Sequence, residues 1–305
     1  MPNVAIARKA RLSPFRHIAL GTWRTAYDPS IYGSLTLRMQ EALRYLHAYR
    51  SATGRHLTVT HMMAKVVGHM LEQMPELNAI LRWRRIYLRK DISVFFQVAI
   101  EDPETGELEL SGIKVEEPQT KTLATIIDEF ESRAAAVRAR RDEGLERSRS
   151  QMGLVPAFAM HAALRVLSFL SYTLNLDLHW AGIPRDAFGS VMVSNVGSLG
   201  LEAAYAPLVP FSRVPLLVAM GAVEDIPEAI DGQVQVATVM RLFATFDHRV
   251  LDGAHAARMV KIMRAWFEQP FDHFEAIPSE SAAVHEATNT LGSPSQVDSV
   301  ARERT

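Results

Sequence analysis

The sequence predicts an α+β chain in which helices and strands are interspersed, on three observations. Val59, Met62, Met63, Val66, Val67, Met70, Leu71 and Met74 recur at i, i+3, i+4, i+7 up to Pro75, the period of an amphipathic helix. Ile92 to Ile100 is a short run too uniformly apolar for a half-exposed strand and reads as one buried on both faces. Arg241 to Phe246 reads as strand and leads into Ala256, Val260, Met263 and Phe267, with Met259, Ile262 and Trp266 beside them at helical spacing. Phe246-Asp247-His248-Arg249-Val250-Leu251-Asp252-Gly253 is therefore a strand-to-helix corner, which lifts side chains out of a sheet to where a substrate can reach them.

Composition bounds the function. With 305 residues, 48% of them hydrophobic, the chain can bury a sizeable core as one large domain or two ordinary ones. The formal charge of -1 provides no global field to attract nucleic acid. No cysteine is present, which excludes disulfides, a cysteine nucleophile and thiolate metal sites. Met1 to Leu12 is basic without an apolar core segment, so a secretory signal is not expected and the cytoplasm is the expected compartment.

In chain order, Met1 to Arg11 reads as a mobile arm. Leu35, Met39, Ala42, Leu43, Leu46 and Tyr49 predict a first helix, capped by Ser34 and ended near Gly54, before the helix at 59–74. Arg84 to Arg89 and Ile92 to Ile100 are strands, and Leu108 to Val115 returns as a strand after the turn Pro103-Glu104-Thr105-Gly106. The basic group Arg82, Arg84, Arg85, Arg89 and Lys90 reads as a solvated strand edge that resists further pairing. Leu123, Ile126, Ile127, Phe130, Ala134 and Val137 predict a third helix, with a charged, solvated end over Arg138 to Arg149.

Leu154 to Leu176 is 23 residues and mostly apolar. His161, Arg165, Ser168, Tyr172 and Asn175 recur at steps of four, three, four and three along one helical stripe. Arg165 sits mid-segment, where a bilayer centre would cost roughly 2.5 to 3.5 kcal/mol. An amphipathic helix packing its apolar face on this domain or a neighbour is favoured over the alternative, membrane contact through 154–176 as an interfacial helix. Beyond Gly182-Ile183-Pro184 come short strands at Ser190 to Ser194 and Leu216 to Ala222, with Asn195-Val196-Gly197-Ser198-Leu199-Gly200 breaking the first. Asp231-Gly232 reads as a hairpin turn into Val234 to Asp247. Residues 276–305 have the composition of a disordered tail.

The corner suits a general base. His248 near a helix N-terminus faces the positive end of the macrodipole, which favours the neutral, proton-accepting ring. Read alone, Asp252 is equally an N-cap and His248 a satisfied corner residue. His61, His69, His161, His179 and His255 form no metal-ligand spacing with a supporting carboxylate, so no metal is expected.

Four stretches carry a resemblance: Met74-Pro75-Glu76-Leu77-Asn78-Ala79, Val193-Ser194-Asn195-Val196-Gly197-Ser198-Leu199-Gly200, Val218-Ala219-Met220-Gly221 and Asp247-His248-Arg249-Val250-Leu251-Asp252-Gly253. With them the chain resembles the catalytic domain of the acyltransferase core subunits of 2-oxo-acid dehydrogenase complexes, which shares its fold with chloramphenicol acetyltransferase. The resemblance implies an α/β (α+β) two-layer sandwich, a mixed sheet with helices packed on one face. It implies a domain over 1–275 with an inserted amphipathic segment at about 151–188. It also implies acyl transfer between coenzyme A, as acyl-CoA substrate, and a thiol such as dihydrolipoyl, without a covalent acyl-enzyme. By motif position His248 would be the general base, Ser194 the donor to the oxyanion, and Asp252 the holder of the site's geometry through an ion pair with an arginine, for which Arg16 and Arg24 are candidates. Asn195, Gly197, Arg249 and Gly253 complete the candidate set. The family's site lies at a trimer interface, with His248 from one subunit and Ser194 from the next.

The departures set further expectations. No lipoyl attachment is expected in this chain, so a separate lipoyl-domain protein or 2-oxo-acid dehydrogenase component would present the thiol. The family's apolar Val-Pro-Val strand is replaced by Leu108-Glu109-Leu110-Ser111-Gly112-Ile113-Lys114-Val115, which leaves the acceptor open. The apolar C-terminal hook that joins trimers is not recognisable, so a homotrimer without a cage is expected. The rival readings are a stand-alone CoA-dependent acyltransferase with a non-lipoyl acceptor, and a catalytically silent trimeric scaffold or adaptor, which would have no need of His248, Ser194 and Asp252 together.

Overall fold

The computed structural model describes residues 2–8, 29–101, 108–139, 156–230 and 232–277. The main sheet has six strands: β2 (Ser30–Arg38), β5 (Ser93–Glu101), β6 (Leu108–Glu116), β7 (Val191–Asn195), β8 (Leu216–Ile230) and β9 (Gln233–Asp247). Their order is β2-β9-β8-β7-β5-β6, and β7 runs parallel to both neighbours while the other pairs are antiparallel. A smaller sheet orders β1 (Ile6–Arg8), β4 (Arg85–Arg89) and β3 (Ala79–Arg82) as β1-β4-β3. The helices are α1 (Gln40–Thr53), α2 (Val59–Gln73), α3 (Leu123–Arg138), α4 (Ala157–Ser168), α5 (Gly253–Glu268) and the short α6 (Pro270–His273).

Alternation along the strands separates two faces. Val191 and Val193 of β7 and Val94 and Phe96 of β5 face the main core with Tyr45, Met63, Val67 and Phe267 from α1, α2 and α5. Met192 and Phe95 face the other way, into a smaller cluster with Leu217, Ala219 and Phe243 that Phe188, Ala206 and Leu208 cover. This is the expected two-layer arrangement, and β5 is buried on both faces as its unbroken apolar run required. Gly112 of β6 is the position where the ring of Phe95 lies, since an added Cβ would fall 1.9 Å from that ring. β8 and β9 pair from Leu216↔Phe246 out to Ile230↔Gln233, well past the last β2 partner at Val239, so their tip projects as a two-stranded ribbon with Val234 and Val236 exposed.

Several expectations are corrected. Leu35 is not in a helix: Ser30–Arg38 is a strand whose Leu35 pairs with Leu242, and the helix begins at Gln40 with Met39 as cap. The apolar spacing from Leu35 to Leu43 fits both periods, and pairing along nine residues of β9 decides for the strand. Arg89 is not at a solvated edge. It is 5% exposed, its Nε stands 3.1 Å from Asp186 Oδ2, and its Nη1 donates to the Ala79 carbonyl at 2.7 Å. The partner comes from 97 residues away, which no local pattern shows.

The polar stripe of the inserted segment is only partly outward. His161 and Arg165 are exposed, whereas Ser168 and Tyr172 are buried. Ser168 Oγ accepts from Arg213 Nε at 2.9 Å, Tyr172 packs with Val4 and Ile80, and Asn175 exchanges hydrogen bonds with the Val4 backbone at 2.7 and 2.8 Å. The polar groups turn inward because they satisfy backbone and a cation there. No helix among the described residues is long and apolar enough to cross a membrane. The packed chain continues slightly beyond residue 275, since Ile277 lies against the main core. The rest of the expected tail, 278–305, and most of the charged end at 138–149 fall outside the described residues.

His61 illustrates a histidine held for packing. Its Nδ1 accepts from the Thr58 N–H at 3.3 Å in a reciprocal cap of α2, and its ring meets Phe130 edge-on at 4.9 Å. Burial, helped by nearby His56 and Arg50, pushes it down to about 4. The unfolded chain then binds the proton first as pH falls below about 6.5, so stability is full above that value and declines towards pH 4. Between pH 7 and pH 5 the wild type is expected to lose about 2 kcal/mol more than His61→Gln, read from urea midpoints at both pH values. Parallel losses in the two proteins would contradict this.

Candidate active site at the strand-to-helix corner

The corner is pinned from several sides. Asp247 N donates to the Pro215 carbonyl at 2.9 Å and His248 N to the Pro29 carbonyl at 2.9 Å, which fixes the end of β9 against both neighbouring strands. Val250 and Leu251, both buried, donate back to the Asp247 carbonyl at 2.9 Å and close the turn. Asp247 is itself buried and takes the Arg249 guanidinium as a fork, with Nε at 2.9 Å from Oδ1 and Nη2 at 2.6 Å from Oδ2. A charge-assisted bidentate pair of this kind fixes orientation as well as position.

His248 is half-buried, and its Nδ1 lies 2.9 Å from the Leu251 carbonyl. A carbonyl only accepts, so in the neutral ring Nδ1 carries the hydrogen and Nε2 is the proton-accepting nitrogen. The backbone of the turn therefore selects the tautomer. Asp252 caps α5: its Oδ1 accepts from Ala254 N at 3.0 Å and His255 N at 3.2 Å. The same oxygen lies 2.7 Å from His255 Nδ1. Across from it, Glu76 Oε1 is 3.2 Å from Arg258 Nη1 and 3.9 Å from His255 Nε2. His255 was absent from the candidate set, although its place three residues after Asp252 is the one signal that could have included it. Gly253 is the first residue of α5. Arg16 and Arg24 lie outside the described residues.

Ser194 stands elsewhere on the sheet. It shares the face of Met192, away from the helices, and pairs with Gln97 of β5 and Ala219 of β8. Asn195, on the opposite face, donates from Nδ2 to Thr60 Oγ1 at 3.0 Å and accepts from Ser198 N at 3.1 Å. Gly197 lets the turn press against β8, because a Cβ there would meet Ala222 N at 2.5 Å. Ser194, Asn195 and Gly197 thus form one group, and His248, Arg249, Asp252 and Gly253 another.

Strand register gives the distance between them. Ser194 is level with Ala219 and Phe243, two strands across, and His248 lies five residues beyond Phe243. At about 3.4 Å per residue and about 4.8 Å per strand, the two backbones are roughly 20 Å apart. No serine and histidine side chain can bridge that. Within one chain they cannot act on the same carbonyl.

The sequence over 187–274 matches the family model described as 2-oxoacid dehydrogenases acyltransferase (catalytic domain). The dihydrolipoyllysine-residue acetyltransferase component of the pyruvate dehydrogenase complex from Zymomonas mobilis is 34% identical over 82 residues, 27% of this chain and 18% of that protein. The chain spans less than a fifth of the length of the first curated relatives it matches. Among solved structures, a probable dihydrolipoamide acetyltransferase from Listeria monocytogenes superposes with a TM-score of 0.60 at 16% identity, covering 89% of this chain and 99% of that one. A dihydrolipoamide acetyltransferase from Azotobacter vinelandii, studied for the role of a serine, a histidine and an asparagine in its catalytic mechanism, gives a TM-score of 0.59 at 17% identity, covering 87% of this chain and 94% of that one. In sequence over 187–274, and in fold over most of its length, the chain is similar to the catalytic domain of the 2-oxoacid dehydrogenase acyltransferases.

Proposed function

We propose that this chain transfers an acyl group directly between coenzyme A and a thiol, of which a dihydrolipoyl group is the leading candidate. The observation that carries the reading is the hydrogen bond from His248 Nδ1 to the Leu251 carbonyl, which leaves Nε2 as the base at the corner. His248 Nε2 takes the thiol proton as sulfur bonds to the thioester carbonyl carbon. The carbonyl oxygen becomes an oxyanion, and the Ser194 hydroxyl donates to it. Collapse re-forms the carbonyl and breaks the bond to the leaving sulfur, which receives the proton from His248. Both half-steps use the same proton, and no acyl-enzyme forms.

The separation of roughly 20 Å between Ser194 and His248 supports a site shared between chains, with His248 from one subunit and Ser194 from the next. A homotrimer is the assembly this implies, and the projecting β8–β9 ribbon supports it, since a two-stranded ribbon with exposed valines is marginal alone. In the Azotobacter protein the asparagine follows the histidine by four positions, as Asp252 follows His248. Asp252 then organises the corner as N-cap, His255 partner and, in the full site, partner of Arg16 or Arg24. Arg249, Asn195, Gly197 and Gly253 shape the backbone around the two groups. The catalytic domain occupies 1–275 with 151–188 as its insertion, and the expected compartment is the cytoplasm. A separate lipoyl-domain protein would present the acceptor thiol. The Phe95 ring over Gly112 favours a second reading, an acceptor other than dihydrolipoyl, because β6 departs there from the family's strand.

The test is release of free coenzyme A from acetyl-, longer-chain or branched acyl-CoA in the presence of dihydrolipoamide. Turnover with acyl-dihydrolipoamide as product supports the reading. Absence of transfer to any thiol from a well-folded oligomer would contradict it.

A further inference from the structure

The outer face of α4 is apolar and cationic at once. Phe158 is 90% exposed, Val166 56% and Phe169, on the π-helical turn that follows α4, 42%. At steps of eight and three they lie along one helical face, with His161 and Arg165 exposed beside them. The β3–β4 hairpin extends this face, because Trp83, 58% exposed at its tip, meets Phe169 edge-on at 6.0 Å. Arg84 and Arg85 are exposed next to Trp83. Neither 157–173 nor 79–90 contains a single Asp or Glu.

The tip is held against its backbone preference. Arg82 pairs with Arg85, so Trp83 and Arg84 are the two central residues of the turn, with φ of 51° and 58°. Two-residue turns of this shape favour Asn-Gly, and a bulky residue there is strained. Strain maintained to display an indole at a protruding tip indicates use of the indole. Tryptophan, phenylalanine and arginine on segments free of Asp and Glu are the residues that settle at the headgroup level of a bilayer.

We propose that this face docks on an anionic phospholipid surface, with Trp83 and Phe158 entering the headgroup region and Arg84, Arg85 and Arg165 meeting the lipid phosphates. Charge points to this occupant, because an anionic surface complements the face whereas a two-fold contact would set the cationic face against itself; a heterologous contact with a different patch of a neighbouring copy is the outcome that the particle-size measurement below detects. The inference is independent of acyl transfer.

Flotation with phosphatidylcholine vesicles, with and without phosphatidylglycerol, tests it on the full chain. The wild type is expected to float at least about tenfold more with the anionic vesicles, less so at high salt. Arg84→Glu with Arg85→Glu, both at exposed positions, is expected to abolish the preference, and Trp83→Ser to reduce it about tenfold. Tryptophan emission in the wild type is expected to shift to the blue on binding, a readout that needs no variant. Equal binding to both vesicles, no binding, or charge reversal without effect would overturn the proposal. So would a smaller particle size for Trp83→Ser with no vesicle binding by the wild type, which would make the face a contact between copies.

Discussion

His248→Ala is expected to lower kcat for acyl transfer by about 10² to 10⁴, the range for losing a positioned general base. The corner should survive the change, because the turn is closed by backbone hydrogen bonds from Val250 and Leu251 and by the Asp247–Arg249 fork. His248→Asn sharpens the test. An asparagine amide can still donate to the Leu251 carbonyl, yet it offers no basic nitrogen where Nε2 stood. Equal losses in both variants, with unchanged unfolding midpoints, would assign the effect to proton transfer. Recovery in His248→Asn would instead make the histidine a structural donor.

Ser194→Ala is the second large effect. Removing one donor to an oxyanion lowers kcat by about 10² to 10³. The oxyanion exists only after attack, so KM for acyl-CoA should be little changed. Ser194 is half-buried at the end of β7 and the methyl group fits the space, so stability should hold. A rise in KM at constant kcat would place Ser194 in ground-state binding and remove it from the proposed step.

How far the sequence discloses this molecule depends on the range of each interaction. Periodicity found α2 and α3 and the buried strand β5, because those elements show their burial in their own residues, while the β8–β9 hairpin was read from its turn signal and its first strand runs to Ile230, past the Ala222 where the apolar run ends. It misassigned Leu35, whose neighbours satisfy helix and strand spacing alike until the partner β9 is known. It took Arg89 for an edge residue, since Asp186 lies far along the chain. It expected the polar stripe of 154–176 to face solvent, although Ser168 and Tyr172 turn inward to partners on other segments.

The candidate site divides in the same way. The corner from Asp247 to Gly253 was legible as a unit because the hydrogen bonds that close its turn and cap its helix are local, whereas the Pro215 and Pro29 carbonyls that hold its start lie far along the chain. The hydrogen bond that sets the His248 tautomer was not, as it depends on the turn bringing the Leu251 carbonyl to the ring. His255 escaped because a helix-start histidine reads as surface until its contact with Asp252 is seen. The distance between Ser194 and His248 is a property of strand order alone, and no spacing of about fifty residues in sequence contains it.

That distance is the basis of the central claim, that each site takes His248 from one chain and Ser194 from another. Subunit mixing measures it most directly. His248→Ala and Ser194→Ala proteins, each nearly inactive, would be unfolded together in equal amounts, refolded and assayed for acyl transfer. If neighbouring chains complete each other, about one quarter of the sites in a cyclic trimer pair an intact His248 with an intact Ser194. Activity should then rise to about a quarter of the refolded wild type. A mixture as inactive as its parents, with hetero-oligomers demonstrated by mass, would show that no site is shared and would contradict the account.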